Sequence, residues 1–117
     1  MAGKLTTHVL DTARGLPAAG VRIELHRIEK GGKTPITETM SNRDGRTDLP
    51  LLSGEKMVAG TYRLLFHVGD YFAAAGSADA KKFLDVVPIL LRIDDANAGY
   101  HVPLLVSPWA YSTYRGS

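Results

Sequence analysis

A chain of 117 residues, 44% hydrophobic and 22% charged, suits one domain with a real core and leaves no room for a second. That composition excludes disorder, collagen-like repeats and coiled coil as the main description, and the absence of cysteine excludes disulfide scaffolds, thiolate nucleophiles and cysteine-ligated metal centres. With 14 Lys+Arg against 12 Asp+Glu the net charge is only +2, and the basic residues are scattered, so no nucleic-acid-binding stripe is visible.

In chain order, Met1 to Leu5 turns polar at Thr6-Thr7-His8 and lacks the apolar stretch of a signal peptide. No run approaches the ~18 apolar residues of a membrane span. A cytoplasmic location is therefore expected. Leu5 to Leu10 reads as a short strand with Thr6 and His8 on one face. Ala13 to Gly20 mixes turn formers with small residues and reads as a loop. Val21 to Arg27 alternates apolar and polar residues, as in a strand with one buried face, and puts His26 on the solvated face with Arg22 and Glu24.

Gly31-Gly32-Lys33 is a turn, Pro35 to Met40 a further strand, and Asn42-Arg43-Asp44-Gly45 a tight turn. Gly60 to Gly69 is a strand on which His67 shares a face with Arg63 and Leu65 and has a structural role. Asp70 reads as the N-cap of a short helix over Tyr71 to Ala75, with Gly76 as its stop. Val86 to Ile93 is branched and apolar, and a turn over Asp94 to Gly99 closes it. Tyr100 to Val106 and Ala110 to Arg115, separated by Ser107-Pro108-Trp109, complete seven or eight strands. The pattern predicts an antiparallel two-sheet β-sandwich with one short helix, a single domain over 1–117.

The four histidines, at 8, 26, 67 and 101, show no metal-site spacing. A serine-hydrolase elbow, a phosphate-binding glycine loop and a dinucleotide fingerprint are all missing. His8 and His101 stand inside strands among apolar or hydroxylic neighbours, where a purely surface histidine is less expected. Patterning alone reads Arg46 as a surface arginine paired with Asp44 or Asp48. The segment Ala110 to Ser117 carries two tyrosines and an arginine beside the terminus, which suggests a tail that is held down.

Several of these stretches together are similar to a known family. Leu5-Thr6-Thr7-His8-Val9-Leu10-Asp11, Gly15-Leu16-Pro17-Ala18, Gly45-Arg46-Thr47-Asp48, Tyr100-His101-Val102-Pro103-Leu104-Leu105 and Tyr114-Arg115-Gly116-Ser117 resemble the transthyretin-related proteins. More closely, they resemble the enzyme branch, the 5-hydroxyisourate hydrolases of urate breakdown. The resemblance spans Lys4 to Ser117.

It implies a transthyretin-like sandwich that assembles as a homotetramer, a dimer of dimers, with sites in the channel where the dimers meet. It implies catalytic roles for His8, Arg46, His101 and Ser117. Arg46, Tyr114, Arg115, Gly116 and Ser117 would contact a small, flat, oxygen-rich substrate. Tyr114 and Arg115 could equally anchor the tail. Hydrolysis of a cyclic amide needs an activated water, help for an oxyanion and a proton for the departing nitrogen. Neutral histidines, a guanidinium fork and the hydroxyl and terminal carboxylate of Ser117 suit those tasks, with no metal or cofactor required. One departure from the family pattern is Gly99, where many members carry a second histidine. The alternative is a carrier that binds a small ligand in the same channel without turning it over.

Overall fold

The computed structural model describes residues 3–117. Nine strands run in chain order as β1 Lys4–Asp11, β2 Leu16–Pro17, β3 Arg22–Glu29, β4 Gly32–Met40, β5 Leu52–Ser53, β6 Gly60–Phe66, β7 Val87–Ile93, β8 Tyr100–Val106 and β9 Tyr111–Thr113. One α-helix, α1, spans Val68–Ala74 between β6 and β7, and a single 3-10 turn covers Gly54–Lys56. Two of the nine strands, β2 and β5, are two-residue pairings against β1 that alternation cannot signal, and β4 begins three residues before Pro35.

The strands form two layers. One sheet has the order β2-β1-β8-β9, with β5 also on β1, and the other has the order β4-β3-β6-β7. Every pairing is antiparallel except β1 with β8, which run parallel over seven residue pairs from Leu5↔Tyr100 to Asp11↔Val106. Side chains alternate across a strand, so Leu5, Val9, Leu104 and Val106 meet Ile23, Leu25, Leu64 and Phe66 between the layers, all fully buried. The opposite face of β1 carries Thr6, His8 and Leu10, and that of β8 carries His101 and Leu105, all half-buried.

Two local expectations need correction. The helix starts at Val68, with His67 at the N-cap, rather than after Asp70. The Gly69 amide donates to Asp85 O at 2.8 Å, which draws the chain into the helix early. Asp70 then falls in the first turn, where it pairs with Lys81 at 2.7 Å. Gly76, at φ 81°, follows the helix as its left-handed stop.

His26 is not solvated but 4% exposed. Its strand is flanked by β4 and β6, and the ladder to β4 shifts register between Leu25 and His26. Arg63 Nη2 lies 3.5 Å from its Nδ1, and Glu24 Oε1 lies 3.4 Å from its Nε2. Glu24 also accepts a hydrogen bond from His67 Nε2 at 2.5 Å, so His67 is structural, as its pattern suggests. No helix among the described residues is long and apolar enough to cross a membrane.

Candidate active site

The outward face of the β1–β8 pair is where chemistry-bearing residues converge. The parallel register sets Thr6 directly across from His101, and His8 across from Pro103, two residues further along. Thr6 Oγ1 and His101 Nδ1 are 2.8 Å apart. Both histidines therefore project from one sheet face although 93 positions separate them in sequence.

Arg46 reaches this face because its turn is fastened to β1. Asn42 Oδ1 accepts from the amides of Asp44 and Arg46 at 2.9 and 3.2 Å, and the Gly45 amide closes on Asn42 O at 2.9 Å. The Val9 amide then donates to Gly45 O at 2.7 Å, docking the turn beside the residue that follows His8. Gly45 is required here: its φ is 76°, and a Cβ would strike the Val9 carbonyl oxygen. Pairing of Arg46 with Asp44 or Asp48 is not realised. Asp48 is held by Asn42 Nδ2 at 3.0 Å, and Arg46 makes no ion pair among the described residues.

A free guanidinium beside two imidazoles has an electrostatic consequence. His101 is held below the ordinary value of 6.5, first by partial burial, then by the positive charge of Arg46 and by His8. Near neutral pH its ring is therefore uncharged, able to accept or donate one proton in a hydrogen bond.

The tail closes one end of the patch. Gly116 bridges His101 through two backbone hydrogen bonds, Gly116 N–H to His101 O at 2.7 Å and His101 N–H to Gly116 O at 3.2 Å. A Cβ on Gly116 would lie 3.2 Å from both Cβ and Cδ2 of His101, so the tail backbone is the wall behind that ring. Arg115 Nη2 donates to Gly99 O at 2.7 Å, and its guanidinium stacks 4.5 Å over the Tyr100 ring. These two contacts of the Arg115 side chain anchor the tail.

Gly99 borders Ser117, and a side chain there would begin 3.5 Å from the Ser117 carbonyl carbon. Ser117, Gly99, Thr6, Lys4 and Tyr100 line a groove of about 390 Å³. Tyr114 stands 62% exposed. A groove of about 500 Å³ lies elsewhere, lined by Arg22, His67, Asp70 and Tyr71 among others. Three of its charged residues are already paired: Arg22 with Glu38, His67 with Glu24 and Asp70 with Lys81. Among the described residues no group of three or more His, Asp or Glu side chains converges as a metal cage.

Thr6 is the site residue that sequence reasoning passed over. Its place on the His8 face is legible from alternation, but its partner lies 95 residues away.

Two facing sheets, one parallel pair at the centre of one of them, and two half-buried histidines beside an exposed arginine define a transthyretin-type sandwich with a polar outer face. Residues 5–116 match the HIUase/Transthyretin family, and the chain belongs to that family. A relative named 5-hydroxyisourate hydrolase, from Deinococcus radiodurans, is 55% identical over 113 residues, covering 97% of this chain and 95% of the relative. Among solved structures, (S)-allantoin synthase superposes with a TM-score of 0.93 at 45% identity over 99% of this chain, which spans 44% of that longer one. Sea bream transthyretin in complex with thyroxine superposes with a TM-score of 0.87 at 26% identity, covering 97% of this chain and 94% of that one.

Proposed function

We propose that the chain is a 5-hydroxyisourate hydrolase, opening a cyclic amide in the six-membered ring of its substrate, and that it works as a homotetramer, a dimer of dimers, with its sites where the dimers meet. The observation that carries the activity is the convergence of His8, His101 and an ion-pair-free Arg46 on one sheet face, with His101 uncharged near neutral pH. An imidazole takes a proton from water as its oxygen attacks the amide carbonyl carbon. Arg46 stabilises the oxyanion that forms, and the C–N bond breaks with its electron pair and a proton going to nitrogen. Ser117 and Tyr114 border the substrate, while Arg115 and Gly116 hold the tail in place.

Identity of 55% to a hydrolase against 26% to a thyroxine-binding transthyretin favours turnover over carriage. So does the polar character of the face, since a carrier channel has little use for two histidines and an arginine.

The assembly draws support from the sheet edges. Strands β7 and β9 each pair on one side only. Leu91 of β7, Thr113 of β9 and Tyr114 just after it help line an apolar cleft of about 300 Å³. Open edges of this kind are templates for pairing with a second copy. The β1–β8 face itself is open in one protomer, so a second protomer laid against it would turn a patch into an enclosed site.

The test follows the absorbance of freshly generated 5-hydroxyisourate with and without purified protein. Faster decay is expected with protein, and equal rates would refute the activity. His8→Asn and Arg46→Ala should each lower kcat/KM by on the order of 100-fold with the circular dichroism spectrum unchanged. Near-normal kinetics in either would remove that residue from the site.

A further inference from the structure

Among the described residues, the ring of His101 makes a single polar contact, to Thr6. Thr6 and His101 are direct cross-strand partners, and the Thr6 hydroxyl oxygen lies 2.8 Å from His101 Nδ1. Among the described residues, Thr6 Oγ1 has no other hydrogen-bond partner. A hydroxyl carries one proton and rotates to place it on an acceptor. Here the acceptor within reach is Nδ1, and a ring N–H aimed at Oγ1 would instead leave the half-buried hydroxyl proton without a protein partner.

We infer that Thr6 is a positioning residue: its hydroxyl donates to His101 Nδ1 and holds the ring as the Nε2–H tautomer, so His101 serves as a neutral hydrogen-bond donor and His8 as the general base. This assignment rests on the hydrolase proposed above and divides its proton chemistry.

With Nδ1 occupied, His101 has no free lone pair for a water proton. It offers one N–H, which suits the carbonyl oxygen and the oxyanion that oxygen becomes. That N–H stays on the ring throughout, because surrendering it would leave an imidazolate. His8 therefore removes the proton from water as the new C–O bond forms, and returns it to the ring nitrogen as the C–N bond breaks. The acid product then ionises to solvent, so atoms and charge balance. The Gly116 wall keeps the His101 ring against Thr6, and the lowered pKa of His101 keeps it neutral, the state in which the tautomer matters.

The experiment uses protein labelled with 15N-histidine, with the His101 ring signals identified by comparison with His101→Asn. The wild type and Thr6→Ser should show His101 protonated at Nε2, and Thr6→Val should show a mixture of tautomers. In steady-state assays Thr6→Val should lose about tenfold or more in kcat with KM nearly unchanged, and Thr6→Ser should recover most of the loss. A wild-type ring protonated at Nδ1, or a folded Thr6→Val enzyme with unchanged kcat, overturns the inference. If Thr6→Val fails to fold, the wild-type tautomer alone decides. If the wild type turns over no substrate, the hydrolase assignment fails, while the ring signals still report on the Thr6 bond.

Discussion

Adding one methyl group to Gly116 tests whether the tail is a working wall of the site. The alanine Cβ would stand 3.2 Å from both Cβ and Cδ2 of His101, where unbonded carbons rest at roughly 3.5–4.0 Å. An opening of roughly 0.3–0.8 Å must therefore be shared between the imidazole and the tail. The Gly116 backbone is not left-handed, so alanine adds no φ strain. The two backbone bonds to His101, at 2.7 and 3.2 Å, can stretch without exposing any core residue. Stability should change by less than about 1 kcal/mol, or a few degrees of Tm.

Catalysis is more sensitive, since a misplacement of this size costs on the order of 10- to 100-fold, equivalent to about 1.4–2.8 kcal/mol of transition-state stabilisation. The assay is kcat/KM from the decay of freshly generated 5-hydroxyisourate, beside a thermal melt of the same preparation. A Gly116→Ala enzyme within about twofold of wild type, with an unchanged melt, would refute the idea that the tail backbone sets the His101 ring.

Four further outcomes can be measured. Tyr71 donates to Asp11 Oδ2 at 2.8 Å, and Asp11 is 1% exposed, so Tyr71→Phe leaves a buried carboxylate oxygen unpaired and should cost about 2 kcal/mol, seen as a Tm roughly 5–10 °C lower. Burial and the Asp11 carboxylate push the Tyr71 hydroxyl up to about 12 from its ordinary 10; the stability linked to this raised value is intact below pH 10 and is lost as pH rises through 12, a loss that Tyr71→Phe should abolish in melts across that window. The hydrogen bond from His67, and then Arg22 and His26, holds Glu24 below its ordinary 4.5; its contribution is therefore present above that value and lost as pH falls through the lowered one, so Glu24→Gln should destabilise by about 1 kcal/mol at neutral pH and flatten the acid limb of the melting profile. Sedimentation at micromolar concentration should give four times the monomer mass, and a monomer alone would overturn the proposed assembly.

Alternation made most strands legible, because a sheet with one buried face imposes a period of two on the residues that form it. It put Thr6 with His8, and Ile23 with Leu25, on common faces without any knowledge of what lay opposite. The turn at Asn42 to Gly45 was equally readable, since Asp-Gly chemistry is local. His26 shows the limit. Its place in the alternation is that of a polar-face residue beside Glu24, yet Arg63 of β6 also packs against its ring, and that second contact is not encoded within β3. The helix start failed for a similar reason: a tertiary bond from Gly69 to Asp85 outweighed the capping preference of Asp70.

By itself, then, the sequence determined a cysteine-free, strand-rich domain, the faces of its strands, the Arg46 turn and a set of motifs shared with one family, because composition, side-chain alternation and turn chemistry act over a few neighbouring residues. Only the tertiary structure decided that β1 and β8 run parallel, that Thr6 meets His101, that Gly45 docks Arg46 beside β1, and that Arg115 is used to hold the tail against Tyr100. Those contacts join residues up to 95 positions apart. Strand order and register are set by how the whole core packs, and no local pattern carries that information.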